Sequence, residues 1–271
     1  MTHSRYLQQH GVFHYERSTV AAPTVGSEHY HDFFELYFLE KGTCRYFIDN
    51  RSFEVAPGDL VLIPAGTIHK TLYRPGVRTR ELIYCSAAYI PEALGDLPVH
   101  LPLYRNPRIS GDIGELFARI GTEFCAAMPP KKDPIACEML TELTRLLFYL
   151  LIRHREECPC VQGGNPLVTD VINDLKQHLA MDIRLPQLAH RHGVSPAHLS
   201  RLFKKETGFG LWEYLRTLRL QRAAHLLRQV PPRSVAEIAF SCGFNDSNYF
   251  SEQFKKAFGC PPGIYRRRGP Q

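Results

Sequence analysis

The sequence predicts an α+β chain of more than one domain. An N-terminal antiparallel β-barrel comes first, then a helical segment, then an all-α tandem helix-turn-helix domain. Three observations lead there. Short aromatic and β-branched runs crowd the first hundred residues, helical spacing takes over from about residue 111, and the last third repeats itself at offsets of 50 and 51 residues. A length of 271 residues suits two domains, each able to bury a core. With 44% hydrophobic and 22% charged residues, disordered and fibrous classes are excluded.

The barrel, residues 1–110, rests on the runs FFELYFL (33–39), TCRYFI (43–48), SFEV (52–55), LVLI (60–63) and RELIYC (80–85). Asp49-Asn50, Pro57-Gly58-Asp59, Pro64-Ala65-Gly66 and Pro75-Gly76 are the turns between them. Closely spaced strands with no helical period between them predict a barrel or sandwich. Ile113, Leu116, Phe117, Ile120 and Phe124 then follow helical spacing, as do Ile135, Met139, Leu143, Leu146, Leu147 and Leu150. Pro129-Pro130 separates these two helices, and Asp133-Pro134 starts the second. Residues 111–157 are expected to serve dimerisation through the leucine-rich face of the second helix, the alternative being that this face packs on the chain's own barrel. CPCVQGGNP (158–166) reads as a linker over 158–165, and its Cys158-x-Cys160 pair as incidental.

From 166 to 268 the repeat dominates. LPQLAHRHG (185–193) aligns with VAEIAFSCG (235–243), and HLSRLFKKETG (198–208) with YFSEQFKKAFG (249–259). Each copy is a short helix ending at glycine, a turn, and a second helix ending at glycine: two helix-turn-helix units, about 185–207 and 234–258. Ser195 and Ser234 cap helices of the two copies, with Asn245 or Asp246 capping the last. The stretch 212–229 keeps helical period and links the units across ~26 Å, which places two second helices in major-groove segments about one turn apart. Charge agrees. Residues 166–271 hold 16 Lys+Arg against 8 Asp+Glu, whereas residues 1–165 hold 17 against 19. A basic domain beside a near-neutral one points to a polyanionic partner; charge alone does not separate DNA, RNA and an anionic membrane, and the helix-turn-helix pattern selects double-stranded DNA.

The longest apolar run, Leu146 to Ile152, is far short of the ~20 residues of a membrane span. The opening MTHSRYLQQH lacks an apolar signal core, so a cytoplasmic protein is expected. Eight scattered cysteines read as reduced thiols.

Residues 166–268 resemble the DNA-binding domain of AraC/XylS-type transcription regulators. LAHRHGVSPAHLSRLFKKETG (188–208), LRTLRLQRAAHLL (215–227) and SVAEIAFSCGFNDSNYFSEQFKKAFGCPPGIYR (234–266) carry the resemblance. It implies base reading by Ala197, Ser200 and Arg201 in the first unit and by Ser247, Asn248 and Glu252 in the second. Arg201 has the reach for guanine and Asn248 for adenine. Glu252 departs from the family's common arginine. Lys204, Lys205, Lys255 and Lys256 are expected on phosphates. Leu188, Ala189, Leu202, Phe203, Ile238, Phe250 and Phe254 are expected in the core.

In the first domain, His29, His31 and Glu35 share parity, so one extended strand would turn all three to one face together with Phe33, Tyr37 and Leu39. A buried Glu35 requires a partner, and His69 is the candidate. The stretch is similar to the two cupin motifs, His29-x-His31-x3-Glu35-x6-Gly42 and Gly58-x5-Pro64-x-Gly66-x2-His69. It departs from them at Gly26, too near His29, and at Tyr73, in place of asparagine. Sensor barrels of this kind are common in AraC-type regulators. The resemblance therefore implies an effector pocket at His29, His31, Glu35, Tyr37 and His69, with no cofactor, the bland alternative being that these residues are a packed polar core. In cupin enzymes the same three histidines and glutamate would hold a divalent metal. The expected protein is a non-enzymatic, homodimeric transcription regulator answering to a small polar metabolite such as a sugar, and working with RNA polymerase if it activates. The alternative is a metal-dependent cupin isomerase or dioxygenase with a DNA-binding appendage.

Overall fold

The computed structural model describes residues 13–21, 31, 33–73, 75–91, 103–106, 108–128, 133–157, 164–229 and 233–268. Two antiparallel sheets build the first domain. β1 (Phe13–Val20), β7 (Arg78–Cys85), β2 (Phe34–Lys41), β5 (Leu60–Ile63) and β8 (Leu103–Tyr104) form one, in that order. β4 (Arg51–Val55), β3 (Cys44–Ile48) and β6 (His69–Tyr73) form the other. The Asp49-Asn50 turn joins β3 to β4 with φ of +37° and +78°, the left-handed pair that a two-residue hairpin requires.

Strand alternation divides the side chains among three layers. Tyr37 and Leu39 of β2, Cys44, Tyr46 and Ile48 of β3, and Leu82 and Tyr84 of β7 meet between the sheets. Leu36, Phe38, Leu60, Leu62 and Ile83 face the other way, onto helices. The outward residues of the small sheet, Phe47 of β3 and Ile68 just before β6, join the core of the helical domain instead.

α1 (Ser110–Ala127) and α2 (Pro134–Arg153) cover the large sheet, with the Phe38 and Phe117 rings 5.4 Å apart. Asp133 caps α2, accepting from the Ile135 amide at 2.9 Å, with Pro134 in the first turn. Leu140, Leu147, Phe148 and Leu151 are buried, while Ile135, Met139, Leu146 and Tyr149 lie exposed on the other side.

Among the described residues, seven α-helices follow: α3 (Pro166–Gln177), α4 (Leu185–Arg191), α5 (Pro196–Thr207), α6 (Leu211–Leu227), α7 (Val235–Ser241), α8 (Ser247–Phe258) and α9 (Pro262–Arg268). They enclose two cores. Val171, Leu188, Phe203 and Tyr214 belong to the first, and Ile238, Phe250, Phe254 and Tyr265 to the second. α6 supplies Leu211 to Leu218 to one and Leu220 to Leu227 to the other, which makes it the spine between the units. Ser195 and Ser234 cap α5 and α7, and at α8 the cap is Asp246 rather than Asn245, accepting from the Tyr249 amide at 2.6 Å.

The structure departs from the sequence expectations in places. β2 begins at Phe34, so His31 precedes the strand instead of sharing it with Glu35. β1, β6 and β8 are strands among none of the expected runs. FHYERSTV and HKTLY mix charged and apolar residues on both faces, because each face meets a different partner, and LY is too short to show a period. His29, Gly26, Cys158, Cys160, Pro129-Pro130 and most of the 158–165 linker lie outside the described residues.

Candidate functional site

The tandem repeat gives each unit a second helix with one buried and one exposed face. In α5, Ala197, Ser200, Arg201, Lys204 and Lys205 are exposed, while Leu199 and Phe203 are buried on the opposite side. Positions i, i+3, i+4 and i+7 share one helix face, so 197, 200, 201 and 204 form a single surface. In α8, Asn248, Glu252, Lys255 and Lys256 are exposed and Ser247 is half-buried. The two turns match in backbone geometry. Gly193 and Gly243 adopt φ of +67° and +87°, and the next amides, Val194 and Phe244, bond back to the Ala189 and Ala239 carbonyls at 3.1 and 3.0 Å. Sequence reasoning missed the exposure of Phe240 and Tyr249 near the second recognition helix, 55% and 48%.

Between the sheets, His31, Glu35 and His69 converge. The Glu35 carboxylate lies 3.1 Å from His31 Nε2 and 3.3 Å from His69 Nε2, and all three side chains are buried. The Tyr46 hydroxyl donates to the other carboxylate oxygen at 3.4 Å. Tyr37, fully buried nearby, is bonded to Cys44 Sγ at 3.5 Å and packs edge-on against Tyr46. Burial alone would raise the Glu35 carboxyl, but hydrogen bonding to His31 and then His69 outweighs it and holds the group well below its usual range. Burial lowers His31 against its attraction to the carboxylate.

The outer nitrogens determine what this cluster can hold. His31 Nδ1 lies 2.8 Å from the Phe33 carbonyl, and His69 Nδ1 lies 2.8 Å from the Thr67 carbonyl. A carbonyl only accepts, so each Nδ1 carries the proton, and in the neutral ring Nε2 is then a bare lone pair. Two lone pairs and a carboxylate face one another, with ligating atoms all within 4.8 Å. A proton donor or a cation must join them: a proton on an imidazole Nε2, as the hydrogen bonds to Glu35 require, a cationic or hydroxyl group of a ligand, or a metal ion. Two imidazoles oriented by backbone carbonyls plus one carboxylate fit a divalent transition ion.

β6 ties this cluster to the DNA-binding domain. His69 points inward, and its neighbours in alternation, Lys70 and Leu72, point outward. Lys70 Nζ lies 3.3 Å from Glu213, whose other oxygen accepts from the Gly210 amide at the start of α6. On β3, Arg45 pairs with Glu206 at the end of α5, and Ser52 of β4 donates to the Glu206 carbonyl at 2.6 Å. The Gln221 amide of α6 donates to the Gly66 carbonyl, and the Gly66 amide donates to the His31 carbonyl at 2.7 Å. Arg45, Lys70 and Gln221 escaped sequence reasoning, because nothing in their local surroundings announces a partner more than 140 residues away.

Among the described residues, no helix is long and apolar enough to cross a membrane. The AraC-like ligand binding domain family matches residues 13–131, and the helix-turn-helix domain family matches residues 188–268. An HTH-type transcriptional activator RhaR from Cronobacter sakazakii is 30% identical over 256 residues, spanning 90% of this chain and 88% of its own. The RhaR activator from Mannheimia succiniciproducens is 28% identical over 292 residues, spanning 99% of both. Among solved structures, the C-terminal domain of the response regulator AraT from Geobacillus stearothermophilus is 35% identical over 38% of this chain and 86% of its own, with a TM-score of 0.37. With both halves matched and a relative aligned along nearly its whole length, this chain belongs to the AraC-type transcription regulators, as a DNA-binding protein with a ligand-binding domain and not an enzyme.

Proposed function

We propose that this protein is a cytoplasmic, promoter-binding regulator that responds to a small polar metabolite, such as a sugar, held at His31, Glu35, Tyr37 and His69. The observation that carries the reading is the alternation along β6, where the inward His69 belongs to the polar cluster and the outward Lys70 grips the start of α6. An effector whose hydroxyls donate to Glu35 would change the position of His69, and Lys70 would move with it. Arg201 and Asn248 read bases, Ala197, Ser200 and Ser247 shape the surface around them, and Lys204 and Lys255 hold phosphates. Glu252 faces the backbone of the DNA. The exposed stripe Ile135, Met139, Leu146 and Tyr149 supports a homodimer through α2. The relatives are named activators, and contact with RNA polymerase would be the corresponding step here.

A second reading places a divalent metal at His31, Glu35 and His69, favoured by the two carbonyl-oriented imidazoles. The test of both is Glu35→Gln in the full chain, which keeps the size and removes the charge. Transcription from the target promoter should stop responding to the effector, while DNA affinity stays within about twofold. Chelator should abolish the response only under the metal reading. A normal response in Glu35→Gln refutes the assignment of the cluster.

A further inference from the structure

A second place for a ligand lies between the domains. A cleft of about 560 Å³ opens between the small sheet and the first helix-turn-helix unit. Its size falls within the ~300–1,000 Å³ of small-molecule sites, which concentrate at domain junctions. Four elements line it: the β3–β4 turn, the turn at 64–68, α3 and α6. The 64–68 turn stands between this cleft and the buried cluster, so the two sites share a wall without sharing side chains.

The charges of the cleft are already matched. Lys176 Nζ lies 2.9 Å from Asp49, and Arg51 has a partner of its own. The amides are not used up. Asn50 Nδ2 lies 3.5 Å from Asn173 Oδ1, and Asn50 Oδ1 lies 3.5 Å from the Tyr214 hydroxyl, both at the outer limit of hydrogen bonding. Asn50 itself is held by its left-handed turn conformation. Gln221 donates to Gly66 and keeps its carbonyl as an acceptor. Thr67 and Thr169 add hydroxyls that both give and take, while Ile68 and Leu218 supply an aliphatic wall.

We propose that this cleft binds a neutral polyhydroxylated compound of monosaccharide size, held by both domains at once. Each hydroxyl of such a compound donates and accepts, as the amides and threonines require. Its C–H face suits Ile68 and Leu218, and it brings no charge to disturb the Lys176–Asp49 pair. A ligand held from both sides binds only when the domains are docked, so it would stabilise the docked arrangement by its differential affinity.

The test is calorimetric titration of the full-length protein with neutral pentoses, hexoses and hexitols, and with hexuronates as charged counterparts. Asn173→Leu, at an exposed position of α3, fills the cleft, and Asn173→Ala removes the amide without filling it. Saturable binding of a neutral member is expected, weakened at least roughly tenfold by Asn173→Leu, weakened less by Asn173→Ala, and retained in Glu35→Gln. Binding unchanged in Asn173→Leu but lost in Glu35→Gln overturns the cleft and supports the buried cluster. Preference for the uronates, or no binding by any member, also overturns the proposal. Circular dichroism of each variant establishes that it is folded.

Discussion

Replacing Gly208 by alanine would put a methyl group between the two domains. Gly208 ends α5 in the left-handed conformation, φ +77°, with its amide bonded to the Lys204 carbonyl at 2.9 Å. An added Cβ would lie 2.7 Å from Leu72 Cδ2 and 3.1 Å from Lys70 Cδ, both on β6 of the ligand-binding domain. Gly193 is the control, since it has φ +67° and nothing within 4 Å of an added Cβ. Left-handed backbone costs a non-glycine residue ~1–2 kcal/mol, so Gly193→Ala should lose about that much. Gly208→Ala adds overpacking, ~1–3 kcal/mol where neighbours cannot yield, at the lower end here because Leu72 is a half-buried side chain. The expected total is therefore ~2–4 kcal/mol. In a Leu72→Ala background the overpacking should vanish and the Gly208→Ala penalty should fall back to that of Gly193→Ala. Urea unfolding followed by fluorescence measures this directly, because Trp212, the chain's one tryptophan, lies in the first turn of α6. Equal penalties for Gly208→Ala in both backgrounds would refute the docking of β6 against the end of α5.

Three further outcomes are expected. Arg201→Ala should cost ~1–3 kcal/mol of DNA affinity and relax preference at one base, whereas Lys204→Ala should weaken all sequences alike and reduce the salt slope by ~1; randomised operators at two salt concentrations separate them. If the Glu252 carboxylate faces phosphates, as proposed, Glu252→Arg should tighten binding to every sequence and steepen the salt dependence, and a switch in base preference would show that it reads cytosine instead. Asp174 accepts from His178 at 2.7 Å, His192 at 3.0 Å and both arms of Arg191 at 3.0 and 3.1 Å. Burial raises its carboxyl, but these partners outweigh burial and lower it. Its stabilisation is therefore complete above the unfolded value of ~3.9 and lost as pH falls through the lower folded value, so acid unfolding of Asp174→Asn should lack that component.

Much of the helical half was legible because its signals are local. Asp133, Ser195 and Ser234 cap helices within three residues of themselves, and the glycines at 193 and 243 close turns that their own copies require. LVLI (60–63) is a strand because four buried apolar residues admit little else between two turns. α3 was not read from the sequence, although Asn165 caps its start and Pro166 stands in its first turn. β6 was illegible for a physical reason. HKTLY reads as a polar stretch: the sequence named His69 as the partner of Glu35, but not that Lys70 would meet Glu213 on the other face of the same strand.

What the sequence determined by itself is therefore the repeat, the helix that links its two units, the exposed face of α5 and the basic charge of that half. These follow from periods and caps that act over a few residues. Tertiary structure alone decided that His31 reaches Glu35 from before the strand, that His69 arrives from the opposite sheet, and that the outer face of that sheet docks on α5 and α6. Those contacts join residues up to 161 positions apart. No local pattern encodes such pairings, because closing the chain over that distance is decided by the summed packing of whole sheets and helices rather than by any residue's own preference.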